Sequence, residues 1–299
     1  MKVTISGGTG FVGRHLARRM LLDGHEVTVL TRALRPGMES GLRFGIWDAE
    51  RGEPPADTVA GADAVVHLAG EPVSQRWTPV AKQKIASSRI DGTRHLINAL
   101  STQSRRPAVL VCASAVGIYG SRGDEIITEE SPAGTGWLAE VSQQWEHTAT
   151  LAEALGIRVV RLRIGIVLGK QGGALARILP VFRAGLGGKL GSGSQWMSWI
   201  HMDDLIGLIL FALENESLRG AVNATAPEPV RNAEFTEMLG RVLKRPALLP
   251  APAFAIRALF GEMSEIVLGG QRVLPTAAQK AGYQFRYPAL EPALRQVVS

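Results

Sequence analysis

Glycine recurs at Gly7, Gly10 and Gly13 within SGGTGFVG, directly after the β-branched run KVTIS. Placed between a strand and a helix, this spacing lets backbone N–H groups and a helix N-terminus meet a pyrophosphate, because side chains that would hold it off are missing. Thr9, Phe11 and Val12 complete the expected cradle. The next strand-like run, EVTVLTR, ends in Thr31 and Arg32, with Arg35 shortly after. An NAD-preferring fold puts Asp or Glu there to grip the ribose 2′-hydroxyl, whereas arginine accommodates a 2′-phosphate. The expected cofactor is therefore NADP(H), with Thr31, Arg32 and Arg35 at its 2′-phosphate.

Other reactive side chains are fewer. Glu71 directly follows HLAG, at the mouth of a sheet where open α/β folds hold their ligands. His201 in WIHMDDL could reach a cleft, but a packed histidine bonded to backbone is the simpler reading. The remaining histidines, at 15, 25, 67, 95 and 147, have no metal-ligand spacing, so no metal is expected. Cys112 lies mid-strand as a small buried hydrophobe; being the lone cysteine, it fits a reducing compartment. GLGGKLGSGSQWMSW carries five glycines between 185 and 193, then Trp196 and Trp199. The expectation is a lid or substrate wall closing over a nicotinamide.

These groups need a scaffold. Apolar runs at 2–6, 63–70, 108–114 and 158–164 alternate with helical patterns at 11–23, 79–100 and 137–155. That alternation predicts an α/β fold, a doubly wound parallel (Rossmann) sheet. The expected division is an NADP-binding core over 1–165 and a smaller α-rich, substrate-side region over 166–299, interleaved with the core. Of the 299 residues, 45% are apolar and 20% charged, a globular composition. The net charge of +6 is spread in short clusters such as Arg105-Arg106, so no nucleic-acid partner is expected. PAFAIRALFGEMSEIVLGG is interrupted by Arg257, Glu262 and Glu265, so no membrane span is expected, and with the basic residues scattered no membrane partner is expected either. The chain opens on a strand-like run without a signal-peptide pattern, and a cytoplasmic location is expected.

SGGTGFVG, DAVVHLAG, ASAVGIYG and WIHMDDL together resemble the extended short-chain dehydrogenase/reductase superfamily. RIGIVLGKQGGAL (163–175), GSGSQWMSWIH (191–201) and the tail from NAEFTEMLGRVL to QKAGYQF (232–285) are similar to an atypical subgroup, the NADP-binding "epimerase family" that includes YfcH-like proteins. The resemblance covers essentially the whole chain. It implies that Leu68 and Ala69 line the adenosine and ribose passage. It also implies cofactor contacts from Arg89, at a helix position where ordinary members carry Asn, and from Arg163. A charge in the buried-looking setting of Arg163 needs a phosphate or a carboxylate as partner.

Members of this superfamily move a hydride between nicotinamide and substrate, and a tyrosine moves the proton. A lysine four residues later on the same helix face lowers the phenol pKa. With Glu146 aligned to the acidic residue that follows this pair, Leu138 falls on the tyrosine position and Ser142 on the lysine position. Neither can do that work. The strand-end serine of the superfamily corresponds to Ser114, or its place is taken by Ala115. Tyr119, Glu71 or water remain as proton sources. The expected protein is an NADP(H)-binding oxidoreductase or epimerase-like enzyme of a small carbonyl or sugar-like substrate, without the Tyr–Lys pair. The alternative is a non-catalytic NADP(H)-sensing binding protein. The resemblance further implies a homodimer through the two long helices.

Overall fold

In the computed structural model, which describes residues 1–34, 39–170 and 172–299, short β-branched runs form a seven-stranded parallel sheet. Arg35 lies outside the described residues. The elements in chain order are β1 (Lys2–Ser6), α1 (Phe11–Leu22), β2 (Glu26–Thr31), β3 (Arg43–Ile46), α2 (Ala56–Val59), β4 (Ala64–His67), α3 (Pro79–Ser101), β5 (Val109–Ala115), β6 (Ile126–Ile127) and α4 (Trp137–Thr150). They continue as β7 (Arg158–Ile164), β8 (Ile166–Leu168), α5 (Gly173–Arg183), β9 (Trp196–Met197), β10 (Trp199–His201), α6 (Met202–Glu214) and β11 (Gly220–Ala224). The tail adds β12 (Val230–Arg231), α7 (Asn232–Leu243), α8 (Ala253–Phe260), α9 (Ser264–Leu268), β13 (Arg272–Val273), α10 (Thr276–Lys280) and α11 (Leu290–Val298).

The strand order is β11-β7-β5-β4-β1-β2-β3. The chain runs outward from β1 to β3 and then returns to the other side of β1 as β4. This reversal opens a crevice beyond the carboxyl ends of β1 and β4, the place where such sheets hold ligands. Strand residues alternate between two cores. Val66, Val111 and Val160 face α1 and α6, packing with Leu16, Met20, Leu205 and Ile209. Val65, Leu110 and Val159 face α3 and α4, packing with Leu96, Leu100, Trp145 and Ala149. Both faces are covered, which is why these strands are apolar at nearly every position.

The sheet continues past residue 165, because β11 pairs with β7 after the α6 crossover. A third core binds α5, α7 and α11 around Leu179, Phe182, Trp199, Leu239 and Leu294. The tail is pinned at the first turn of α6. There the buried Asp204 carboxylate accepts the N–H groups of Arg286 at 2.6 Å and Tyr287 at 2.9 Å. Among the described residues no helix is long and apolar enough to cross a membrane.

Candidate dinucleotide groove and the polar core behind it

The turn from β1 to α1 needs its glycines. Gly7 has φ +69°, and a Cβ on it would sit 2.7 Å from the Leu68 backbone. A Cβ on Gly13 would lie 2.2 Å from the Gly7 carbonyl oxygen. Gly10 caps α1 without a side chain, so the first-turn N–H groups stay open to an anion. A cavity of about 260 Å³ opens at this turn. On one side it is lined by Gly7, Thr9, Gly10, Thr31 and Arg32, and on the other by Leu68, Ala69 and Glu71. Eight sequence-predicted residues thus meet in one groove. Its floor also includes Trp47, Asp48, Ala49, Glu50 and Ser88, which the sequence reading did not single out. Residues 47–50 follow β3, a four-residue strand whose RFGI carries little pattern, and Ser88 lies on α3.

Other expected contacts lie behind the groove wall. The ring of Phe11 fills the space that side chains on Gly172 and Gly173 would need, at 2.4 and 2.9 Å. Val12 packs into the α1 core. Arg89 donates to the carbonyls of Glu71 (2.9 Å) and Ile85 (3.1 Å), with its guanidinium beside Gly70. Burial lowers its pKa to about 10, against the opposing charge of Glu71, so it stays a cation at neutral pH. At the mouth, the exposed Arg32 guanidinium lies 3.9 Å from the Glu71 carboxylate.

The expected catalytic hydroxyls are engaged inside the fold. Ser114 is buried and donates to Glu146 Oε1 at 2.7 Å. Tyr119 is wholly buried (0% exposed); it donates to Asn223 Oδ1 at 2.7 Å and accepts from Arg163 Nη1 at 2.7 Å. Burial raises its pKa, and the Arg163 cation only partly offsets that. The Arg163 guanidinium is fully engaged within this network. Nε and Nη2 bind the two Glu146 oxygens at 2.8 and 2.9 Å, while Nη1 reaches Tyr119 and the Glu129 carbonyl. The partner its burial demands is therefore the Glu146 carboxylate. Burial alone would lower the Arg163 pKa, but bonding to Glu146 holds it above the ordinary value. Leu138 packs where a Cβ on Gly117 would be 3.0 Å away, and Ser142 bonds back to the Leu138 carbonyl at 2.8 Å. Leu138 and Trp137 share an apolar cluster with Trp77, Phe260, Met263 and Val267.

The lid expectation needs correction at Trp199. That side chain is fully buried in the third core, and its indole donates to the Glu228 carbonyl at 2.9 Å. Trp196 is clamped between the Arg231 and Arg272 guanidiniums, 4.8 and 4.6 Å from its ring centre, and donates to Asp124 at 2.7 Å. Glycine in this segment serves close packing: a Cβ on Gly188 would lie 1.9 Å from the Leu249 carbonyl oxygen. His201 is packed, as the simpler reading held. It caps α6 by accepting from the Asp203 N–H at 3.1 Å and bonds Gln296 at 2.9 Å. Cys112 is buried, and burial pushes its thiol up to about 12.

His67 lies under the groove, between Ser6 at 2.5 Å and Thr93 at 3.1 Å. Burial, with the nearby Arg89 charge, lowers its pKa from 6.5 to about 4. A depressed folded pKa means the neutral ring stabilises the fold above 6.5, and that stability is lost as pH falls toward 4. We expect the unfolding free energy to drop by about 3 kcal/mol more across this window than in His67→Gln, read from urea midpoints. Parallel pH profiles for the two proteins would refute this.

A doubly wound sheet with a glycine cradle at its first turn defines a dinucleotide-binding α/β fold. The NAD dependent epimerase/dehydratase family matches residues 3–224, and a domain of unknown function, DUF1731, matches residues 251–297. The chain belongs to the NAD dependent epimerase/dehydratase family, in its atypical extended short-chain form. It is similar to a chloroplastic homologue of epimerase family protein SDR39U1 from Arabidopsis thaliana, 46% identical over 303 aligned residues, covering all of this chain and 87% of that protein. Epimerase family protein YfhF of Bacillus subtilis is 38% identical, covering all of this chain and 98% of the relative. Among solved structures, human SDR39U1 isoform 2 with NADPH superposes with a TM-score of 0.88 at 35% identity, over 99% of each chain.

Proposed function

We propose that this protein binds NADP(H) in the β1–β4 groove and is an oxidoreductase or epimerase-like enzyme of a small carbonyl or sugar-like substrate, acting in the cytoplasm. The glycine cradle carries this reading, since its contacts leave room for backbone against pyrophosphate and for nothing bulkier. The bound NADPH of the 35%-identical human relative supports the same cofactor. Bound there, the nicotinamide supplies or accepts a hydride. Gly7, Thr9 and Gly10 hold the pyrophosphate, Leu68 and Ala69 the ribose passage, and Thr31 and Arg32 the 2′-phosphate. With Ser114 and Tyr119 engaged in the polar core and Glu71 beside Arg32 at the 2′-phosphate end of the groove, the proton passes through water.

Arg32→Ala is expected to weaken NADPH binding roughly 10- to 100-fold, the worth of a charge-assisted hydrogen bond of about 1.5–3 kcal/mol, while NADH changes little. Titration of both nucleotides by fluorescence checks this. Tighter NADH than NADPH in the wild type would exclude NADP(H) as the preferred cofactor. The engagement of both hydroxyls favours a second reading, a non-catalytic NADP(H)-responsive binding protein. A panel of carbonyl compounds and nucleotide sugars separates the two. Tight NADPH binding with no oxidation across the panel, and an NADPH-dependent change of assembly, select the second.

A further inference from the structure

Two neighbouring segments of the C-terminal region are rich in cations. Leu249 N–H donates to the Gly187 carbonyl at 3.0 Å, and Ala251 N–H to that of Lys189 at 2.9 Å. These bonds lay the segment before β9 beside the segment that leads into α8. Residues 181–193 and 238–261 contain Arg183, Lys189, Arg241, Lys244, Arg245 and Arg257, and no Asp or Glu. The whole chain has 33 Lys and Arg against 27 Asp and Glu. The second stretch is bounded by Glu237 and Glu262, and the two stretches together carry six cations and no acid. All six are exposed. Arg241 pairs with Glu237 at 2.8 Å, and the other five make no ion pair among the described residues. Lys189, Arg241, Arg245 and Leu248, with the single carboxylate Glu237, rim one cavity of about 470 Å³, which shares no lining residue with the dinucleotide groove.

The same segments expose large apolar side chains: Leu248 at 82%, Phe254 at 75% and Leu259 at 68%, with Leu186 and Leu249 beside them. On α8 only Ile256 is buried. Phe254, Ala255, Ala258 and Leu259 form an outward apolar arc with Arg257 at its edge. Such a helix has no reason to face water alone. Cations without fixed carboxylate partners, interleaved with protruding apolar side chains, match a surface that is negative at the headgroups and apolar just beneath.

We propose that this face docks on an anionic lipid bilayer. Phe254, Leu248 and Leu259 enter the acyl boundary, and Lys189, Lys244, Arg245 and Arg257 lie among the headgroup phosphates. The linear sequence conceals this because the two segments are about fifty residues apart and each holds only a few charges.

The test is co-sedimentation of the full chain with phosphatidylcholine vesicles and with mixed phosphatidylcholine–phosphatidylglycerol vesicles. Binding to the mixed vesicles alone is expected, with release by salt. Phe254→Ser with Leu259→Ser, and separately Lys189→Glu with Arg245→Glu, should each cut partitioning about tenfold or more. Both pairs should melt as the wild type does, since the altered side chains are exposed. Equal binding to the two vesicle types, no binding to either, or wild-type partitioning by folded variants would overturn the proposal. So would a lipid-free dimer that Phe254→Ser dissociates, which would give the face to a second copy of the chain.

Discussion

Gly13→Ala is expected to reduce NADPH affinity by about 100-fold or more while the chain stays folded, because a single methyl group displaces the turn that meets the pyrophosphate. The new Cβ would lie 2.2 Å from the Gly7 carbonyl oxygen and 2.6 Å from the Gly8 Cα. Both are backbone atoms, so no rotamer change relieves the clash. The β1–α1 turn must move instead, and several N–H groups lose their line to a bound anion at about 1 kcal/mol each. Gly10→Ala is the graded companion. Its Cβ would approach the Gly7 carbonyl at 3.1 Å, a contact that a small shift relieves, so a lesser loss is expected. Equilibrium titration beside far-ultraviolet circular dichroism separates lost binding from lost fold. A folded Gly13→Ala protein with wild-type affinity would sink the assignment of this turn.

The ease with which the turn is read from sequence has a physical cause. The glycine spacing is local, and the strand and helix around it are strongly patterned, so Gly7, Thr9, Gly10, Thr31, Arg32, Leu68, Ala69 and Glu71 are all found and all meet in the groove. Trp47 and Asp48 escape notice because β3 is four residues long and mixes Arg with Gly. β11, GAVNA, carries little strand pattern because it has small residues and one Asn, although it completes the sheet. Asn223 takes part in the buried network that holds Tyr119 104 residues away, and no periodicity announces such a partner.

Trp196 and Trp199 show the opposite hazard. Aromatics beside glycines suggest a mobile pocket wall, yet the glycines here permit backbone to pack against backbone, and the indoles serve as fastenings. Glycine marks either freedom or close approach, and only the position of the neighbouring chain decides between them. The same ambiguity governs charge. Arg32 and Arg163 each end a strand region, but one faces solvent at the groove mouth and the other a buried carboxylate.

Glu146→Ala is expected to destabilise the protein by about 3–5 kcal/mol, the cost of leaving buried cations without their counter-charge. Glu146 is 4% exposed and holds Arg163 through both oxygens, Arg161 at 3.3 Å and Ser114 at 2.7 Å. Its removal leaves two guanidiniums and a hydroxyl facing an apolar gap, and Arg161 Nε already lacks a hydrogen-bond partner among the described residues. At a few degrees per kcal/mol for a chain of this size, the melting temperature should fall by roughly 10 °C. Removing both charges is a different matter. Glu146→Met with Arg163→Met replaces a desolvated pair by packing, so much of the loss should return, and the double-mutant cycle should show strong coupling. This variant also decides what Arg163 does. If the guanidinium only braces α4 against β5 and β7, NADPH affinity in the double variant stays within about threefold of the wild type. If it touches the cofactor, affinity falls tenfold or more, as expected for a lost charged hydrogen bond. Single substitutions cannot make this distinction, since each upsets the charge balance among Glu146, Arg161 and Arg163 and unsettles the ends of β5 and β7 at once.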